Sequence, residues 1–393
     1  MDTRTGLPVV GMVGGGQLAR MTHQAAISLG LSLRVLAAGE ADSAGLVASD
    51  VVRGHHTDLE ALRSFARDVD VVTFDHEHVP GEHLRVLEAE GVVLRPGPSA
   101  LAFAQNKLLM RERIAGLGLP GPAFAEVSGV EDVCKFGESY SWPVVLKAAS
   151  GGYDGRGVWL VDSPDEARSL VPELLEAGTP LLVERKVAMR RELSALVARS
   201  PYGQGSAWPV VETVQRDGIN TEVLAPAPGL TEERTHQAQE LALRIAEELD
   251  VVGVLAVELF ETDTGLLVNE LAMRPHNSGH WTMDGSRTSQ FEQHVRAVLD
   301  YPLGVTELLS PTVMANVLGA PKLPEMSPDE RLHHLFARFP DVRVHLYGKG
   351  ERPGRKLGHV NVLGPVTDDT RRRARLAAHW LSHAEWLDGY QVH

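Results

Sequence analysis

The chain is short of three things. Among its 393 residues there is one cysteine, Cys134. A single thiol excludes intrachain disulfides and cysteine-rich zinc sites, and it suits a reducing compartment. Basic residues are scarce as well: 38 Lys and Arg stand against 52 Asp and Glu, for a net charge of −14. Nucleic acid and anionic membranes both reward a basic surface, so neither is an expected partner. Long apolar runs are also missing. None approaches the ~18–20 residues that cross a bilayer, and the opening MDTRTGLPVV lacks the apolar core of a signal peptide. The expectation is a cytoplasmic protein with a core large enough for two or three domains.

What is present starts with alternation. Four apolar runs, LPVVGMV, LSLRVLAA, VDVVTFD and GVVLRP, are interleaved with amphipathic segments such as QLARMTHQAAISLG and DLEALRSFARDV, the latter capped by Thr57 or Asp58. Strands alternating with helices predict a parallel sheet covered on both faces. The stretch SALAFAQNKLLMRERIAGLG reads as helix. After it come WPVVLKAAS, the loop GGYDGRG, the strand VWLVD, a helix and the strand TPLLVERKV, which together suggest a small α+β module. From Arg191 onward the pattern is long and mixed, with a hairpin turning at TDTG.

Five features carry chemistry. Gly14-Gly15-Gly16-Gln17-Leu18-Ala19 satisfies G-x-G-x-x-(G/A) between a strand and a helix, and reads either as a phosphate-binding turn or as a tight structural one. The acidic residue that a dinucleotide ribose needs at the end of the second strand is missing, since Ala37-Ala38-Gly39 precedes Glu40. SGGYDGRG (150–157) places four glycines in eight residues after Lys147, and reads either as a loop whose amides can close over phosphates or as a flexible hairpin. The hairpin 254–273 sets Glu258 opposite Asn269 or Glu270; paired carboxylates on one sheet face suit a divalent cation, with an ordinary solvated strand pair as the alternative. RPHNSGHWT gathers Arg274, His276, Asn277 and His280 in one loop; an anion site fits better than zinc, because a third clear ligand is missing. YGKGERPGRKLGH concentrates Lys349, Arg352, Arg355 and Lys356, either as a phosphate pocket or as a solvated loop. The arginines of DDTRRRARLAAHW read as the wet face of a terminal helix. His76 and His78 alternate on a strand, with Glu77 pointing the other way, and do not read as a metal site.

In order along the chain, GGGQLARM, TFDHEHVP, LKAASGGYDGRGV, LLVERKV, VNELAMRPHNSGHWT and RPGRKLGHVN resemble the ATP-grasp ligases, and within them the N5-carboxyaminoimidazole ribonucleotide synthetases of purine biosynthesis. The resemblance spans nearly the whole chain. It implies an α/β and α+β ATP-grasp fold: an N-terminal Rossmann-like parallel-sheet domain (1–100), a linker helix (101–122), a small central lid domain (123–190) and a C-terminal domain (191–393). It implies carboxylation of 5-aminoimidazole ribonucleotide by bicarbonate and ATP, through carboxyphosphate. Lys107 and Lys147 would touch the ATP phosphates, and Gly152, Tyr153, Asp154, Gly155, Arg156, Gly157 and Val158 would cover them. Glu184, Arg185, Lys186 and Val187 would meet the adenine with Gln215, and Glu192 the ribose; Asn269 would lie beside them. Glu258 and Glu270 would carry Mg²⁺, with Mn²⁺ as a substitute. Gln17, Leu18, Glu77, Asn277, Lys349, Arg355 and Lys356 would hold the ribonucleotide. Asp154, Tyr153, Arg274 and His276 would act in the chemistry. A homodimer is the implied assembly. The chain departs from the family's usual pattern at Gln215, where histidine is common, and at His78, where asparagine is. A formate-dependent glycinamide ribonucleotide transformylase is the nearest rival reading. An NAD-dependent oxidoreductase or a non-catalytic nucleotide-binding protein is more remote.

Overall fold

The computed structural model describes residues 1–151 and 156–391. Val9–Val13 (β1), Gln17–Ser28 (α1), Ser32–Ala37 (β2), Asp50–Arg53 (β3), Leu59–Ala66 (α2), Val71–Phe74 (β4) and Gly81–Ala89 (α3) form the first layered unit. Its strands pair in parallel in the order β3-β2-β1-β4. β1 and β4 are buried along their whole length, as parallel strands covered on both faces must be. Three of the four apolar runs become strands. The fourth contributes only an isolated bridge between Leu94 and Val72. The remaining strand, β3, is a half-buried DVVR with no apolar run to announce it. Asp58 caps α2 by accepting the Glu60 and Ala61 amides.

The helical stretch that follows is two helices, Pro98–Gln105 (α4) and Lys107–Gly116 (α5), broken at Asn106. Asn106 leaves the helical region at φ −133° and caps α5 through its side chain, which accepts the Leu109 amide. The break leaves Lys107 at the start of α5, where its amide donates to Ala149 O at 2.7 Å.

Phe124–Val127 (β5), Val130–Tyr140 (α6), Val144–Ala148 (β6), Val158–Val161 (β7), Pro164–Glu176 (α7) and Leu181–Arg185 (β8) build a small antiparallel sheet in the order β5-β8-β6-β7. Val133, Phe136, Leu146, Val171 and Val183 seal its two helices onto it.

The largest sheet runs β14-β13-β9-β11-β12-β15-β17-β16, with β10 added beside β9. Its elements are Arg191–Arg199 (β9), Gly205–Ala207 (β10), Val211–Arg216 (β11), Ile219–Ala225 (β12), Glu232–Glu248 (α8), Gly253–Glu261 (β13) and Leu266–Ala272 (β14). After a 3₁₀ turn at Asn277–Gly279 come Thr282–Gly285 (α9), Gln290–Val298 (α10), Thr312–Leu318 (β15), Pro328–Arg338 (α11), Arg343–Leu346 (β16), Lys356–Leu363 (β17) and Asp368–His383 (α12). The arginines of α12 are not a purely wet face. Arg375 and Arg371 pair with the buried Glu222 of β12 at 2.6 and 3.3 Å, and Arg373 binds Asp341. A buried carboxylate needs such partners, and here they fasten the last helix to the sheet.

α10 joins the parallel sheet to the large one. Val295 and Val298 pack with Ala19, Ala26, Val10 and Val35 of the first unit. His294 receives the Val254 amide on Nδ1 at 3.1 Å and bonds Thr73 Oγ1 through Nε2 at 2.7 Å, so one imidazole bridges β13 and β4. Phe291, fully buried, packs with Leu18 and Met21 of α1 and with Tyr347. Burying such a ring contributes on the order of 2–3 kcal/mol.

Candidate active site

The glycine motif is shaped around a protein side chain. Asp75, just past β4, accepts the Gly16 amide and the Ala19 amide (3.3 Å), so its carboxylate caps α1. Gly14 sits at φ +107°, and a Cβ there would lie 2.8 Å from Asp75 Cβ; a Cβ on Gly16 would collide with the Asp75 carboxylate. Two of the amides at the start of α1 that a dinucleotide pyrophosphate could use are therefore taken. Asp75 lies in TFDHEHVP, but nothing local marks it as the cap of α1, because Gly16 is 59 residues away.

Residues of the small and the large sheet, together with the start of α1 and the segment after β4, line one cleft of about 1500 Å³. Lys107 donates to Glu270, and Lys147 bonds Glu184 at 2.9 Å and Asn269 at 3.3 Å. Glu184 is also held by Arg111, at 2.6 Å. Burial opposes its charged form, but Lys147 and Arg111 outweigh that and keep its pKa below the usual glutamate range. Arg111 is itself 1% exposed and donates further to the carbonyls of Val268 and Asn269, both at 2.8 Å. It ties α5, β8 and β14 together. The sequence hides it in an amphipathic helix where arginine reads as solvent-facing.

Glu258 and Glu270 are direct partners across the hairpin, and the register shifts next to them so that Asn269 is the extra, bulged residue. That bulge brings Asn269 and Glu270 into the same cleft. Burial, then the charges of Glu270 and Glu192, push Glu258 up to about 8. Glu270 is lowered: burial works against its charge, and Lys107 and Lys147 overcome it. Two hard oxygen donors repelling each other in a cleft fit a divalent cation that completes its shell with phosphate and water. Among the described residues no grouping of three or more His, Cys, Asp or Glu forms an all-protein cage. Glu192 is raised, mainly by burial, and hydrogen-bonds Gln215, while both line the cleft with Arg185, Lys186 and Val187.

On the other side of the cleft, Arg274 pairs with Glu77 at 2.8 Å. His276 bonds Ser278 Oγ through Nδ1 at 2.8 Å, and its Nδ1 also accepts the Ser278 amide at 3.3 Å. The proton therefore sits on Nε2, which lies 3.4 Å from Glu258 Oε1. Burial, with Arg274 and Lys356 adding to it, lowers His276 to about 3, so it is neutral at physiological pH. Asn277 and Asn316 exchange amide hydrogen bonds at 3.0 and 2.8 Å. Lys349 donates to Gln17, and burial followed by the charge of Arg355 lowers it to about 8.

Gln17, Leu18, Glu77, Asn277, Lys349 and Lys356 all line this cleft, as does Val158. Arg355 does not; its guanidinium donates to Gly350 O at 3.0 Å, and Arg352 lines the cleft in its place. Arg156 and Gly157 are likewise not lining residues. Gly152, Tyr153, Asp154 and Gly155 lie outside the described residues. His76 and His78 follow the end of β4 in a loop rather than alternating on a strand. Their rings stack 5.2 Å apart, and the His76 ring also meets His56 at 4.5 Å.

Three family models match consecutive stretches: a ribonucleotide synthetase preATP-grasp domain at 7–105, an ATP-grasp domain at 112–291, and a phosphoribosylaminoimidazole carboxylase C-terminal domain at 312–373. The N5-carboxyaminoimidazole ribonucleotide synthase of Mycobacterium tuberculosis is 61% identical, over 98% of this chain and 90% of its own. That of Corynebacterium ammoniagenes is 50% identical, over 98% and 95%. The crystal structure of the Thermus thermophilus synthetase superposes with a TM-score of 0.85 at 38% identity, covering 96% of this chain and 99% of its own. The Aspergillus clavatus synthase, solved in complex with ADP and 5-aminoimidazole ribonucleotide, gives 0.85 at 33% identity, over 95% and 98%. A shared layout along the whole length, at these identities, leaves no room for a different lineage: the chain belongs to the N5-carboxyaminoimidazole ribonucleotide synthase family of ATP-grasp enzymes.

Proposed function

We propose that the chain joins bicarbonate to the exocyclic amine of 5-aminoimidazole ribonucleotide, with cleavage of ATP to ADP and phosphate, in purine biosynthesis. The observation that carries this reading is the approach of His276 Nε2 to Glu258 Oε1 at 3.4 Å. There the set suited to phosphoryl transfer (Glu258, Glu270, Lys107, Lys147) meets the set suited to an anionic substrate (Arg274, Gln17, Lys349, Lys356).

Bicarbonate is a poor electrophile, so one of its oxygens first attacks the γ-phosphorus and ADP leaves, giving carboxyphosphate. Lys107 and Lys147 neutralise charge as that transfer proceeds. Magnesium, or manganese in its place, would be held by Glu258 and Glu270 and would add charge neutralisation at the phosphates. The amine nitrogen then attacks the carboxyl carbon, the carbon–oxygen bond to phosphate breaks, and the nitrogen loses a proton. Arg274 and neutral His276 would hold the carboxyphosphate, Arg274 by charge and His276 by its Nε2–H. Lys349, Arg352 and Lys356 would take the ribonucleotide phosphate. With the Glu184 side chain engaged by Lys147 and Arg111, adenine recognition at 184–187 would fall to the main chain. The proton acceptor expected at Asp154, with Tyr153 positioning the substrate, completes the proposal. An Asp154→Asn protein that kept full turnover and an unchanged pH profile would remove that role.

The test is substrate dependence of ADP release. The proposal expects release that needs both aminoimidazole ribonucleotide and bicarbonate. Release driven by formate with glycinamide ribonucleotide would instead assign the chain to the transformylase reaction.

A further inference from the structure

Gln290 is fully buried at the first position of α10, and its amide is committed to the loop that carries Arg274 and His276. Its Oε1 accepts the His276 amide at 2.8 Å, and its Nε2 donates to the His276 carbonyl at 2.8 Å. One side-chain amide thus holds both main-chain polar groups of a single residue, much as a neighbouring strand would. The same Nε2 donates to His280 Nδ1 at 2.9 Å. The amide cannot turn over without setting like groups against each other at both His276 contacts. Gly279 makes room: a Cβ there would lie 2.7 Å from Gln290 Cδ and would overlap Oε1. The next residue on the helix, Phe291, packs on Leu18 and Met21, one turn from Gln17.

We propose that Gln290 is a positioning residue for carboxyl transfer: by clamping the His276 backbone from a helix packed on α1, it fixes the imidazole relative to the bound ribonucleotide. This rests on the function proposed above. The His276 carbonyl also accepts the Gly279 amide at 2.9 Å, and Ser278, which bonds its ring, is tied to Ser194 of β9 at 2.7 Å. Among the described residues, Gln290 is the side chain that grips the His276 main chain from outside its own loop. An unclamped loop would leave ATP binding and the first phosphoryl transfer in place, since Lys107, Lys147, Glu258 and Glu270 do not contact Gln290. The carboxyphosphate would then be held loosely and would decompose to carbon dioxide and phosphate before the amine attacked it. Misplacement by about 1 Å at such a site costs about 10²-fold in turnover.

The experiment compares parent, Gln290→Leu, Gln290→Glu and Gly279→Ala for kcat, for KM of the ribonucleotide, for Mg-ADP affinity and for phosphate released per carboxylated product. Gln290→Glu keeps the acceptor for the His276 amide but turns an oxygen toward its carbonyl, and Gly279→Ala displaces the amide without deleting it. The expected result is kcat down by about 10²-fold with Mg-ADP affinity retained, and a phosphate-to-product ratio well above the parent's value near one. A purely structural role would lower kcat and nucleotide affinity together and leave the ratio at one; that result, or variants with parental kcat and ratio, overturns the proposal. If Gln290→Leu does not fold, the ratio in the other two variants decides by the same criterion. A parent with no aminoimidazole-dependent turnover would instead sink the functional reading, and this inference with it.

Discussion

Glu258 and Glu270 face each other as direct partners across an antiparallel ladder, with Asn269 bulged out beside them. Neither carboxylate would choose this neighbour without a cation between them. Glu258 is pushed to about 8, from an ordinary value of 4.5, by burial and by Glu270. An acid whose folded pKa is raised costs stability progressively as pH rises from the unfolded value to the folded one. Glu258→Gln should therefore melt higher than the parent without metal, by on the order of 2 °C, with the gain growing between pH 4.5 and 8 and flat above. The same variant should lose the stabilisation that Mg-ADP gives the parent. Thermal melts across pH, with and without Mg-ADP, check both signs.

Arg111 and Glu184 are 1% and 3% exposed and 2.6 Å apart. Without Arg111 the buried Glu184 would keep only Lys147 as an ionic partner, and breaking a buried ion pair costs up to about 3–5 kcal/mol. Arg111→Met should lower the melting temperature sharply and weaken Mg-ADP binding, because Lys147 would then serve Glu184 alone. Arg111→Lys should not restore it, since one ammonium cannot reach Glu184, Val268 O and Asn269 O together. Calorimetric titration with Mg-ADP, alongside melting, measures both effects.

Asp75 and Gly16 make a pair that a double-mutant cycle can separate. Gly16→Ala drives a methyl into the Asp75 carboxylate and should destabilise the first unit. Asp75→Ala removes the α1 cap, at about 0.5–2 kcal/mol. The double variant should be far less destabilised than the sum, since the clash has gone with its partner. Additive losses would mean that Gly16 is constrained by something other than Asp75.

His56 and His76 are each lowered to about 4, first by burial and then by neighbouring imidazoles. Unfolded histidines take up protons near 6.5. Their contribution is thus fully present above that value and is lost as pH falls toward 4. Melting temperatures should drop between pH 6.5 and 4, and His56→Gln should flatten that slope. An unchanged slope would place the acid sensitivity elsewhere.

Much of this was legible in the residues. The alternating start, the Thr262–Gly265 turn and the clustering of polar residues at 274–280 follow from local pattern, and local pattern is what sequence records. Three things escaped for a shared reason. Periodicity cannot show that Asn269 is bulged, so it allows Glu258 either Asn269 or Glu270 as its partner. Nor can it show that the α1 amides belong to Asp75, or that Arg111 turns inward. Each depends on partners brought together by the fold from distant positions. The arginines of α12 misled in the opposite direction: on a helical wheel they look solvated, yet Glu222 lies beneath two of them. Strand β3 was too short and too polar to register.

The central claim is that phosphate from ATP activates bicarbonate in the cleft where His276 meets Glu258. The most direct measurement is turnover with ¹⁸O-labelled bicarbonate, aminoimidazole ribonucleotide and Mg-ATP, followed by mass analysis of the phosphate released. The account predicts one bicarbonate oxygen in each phosphate, left there when the carbon–oxygen bond of carboxyphosphate breaks. Phosphate free of label, with carboxylated product still formed, would contradict it.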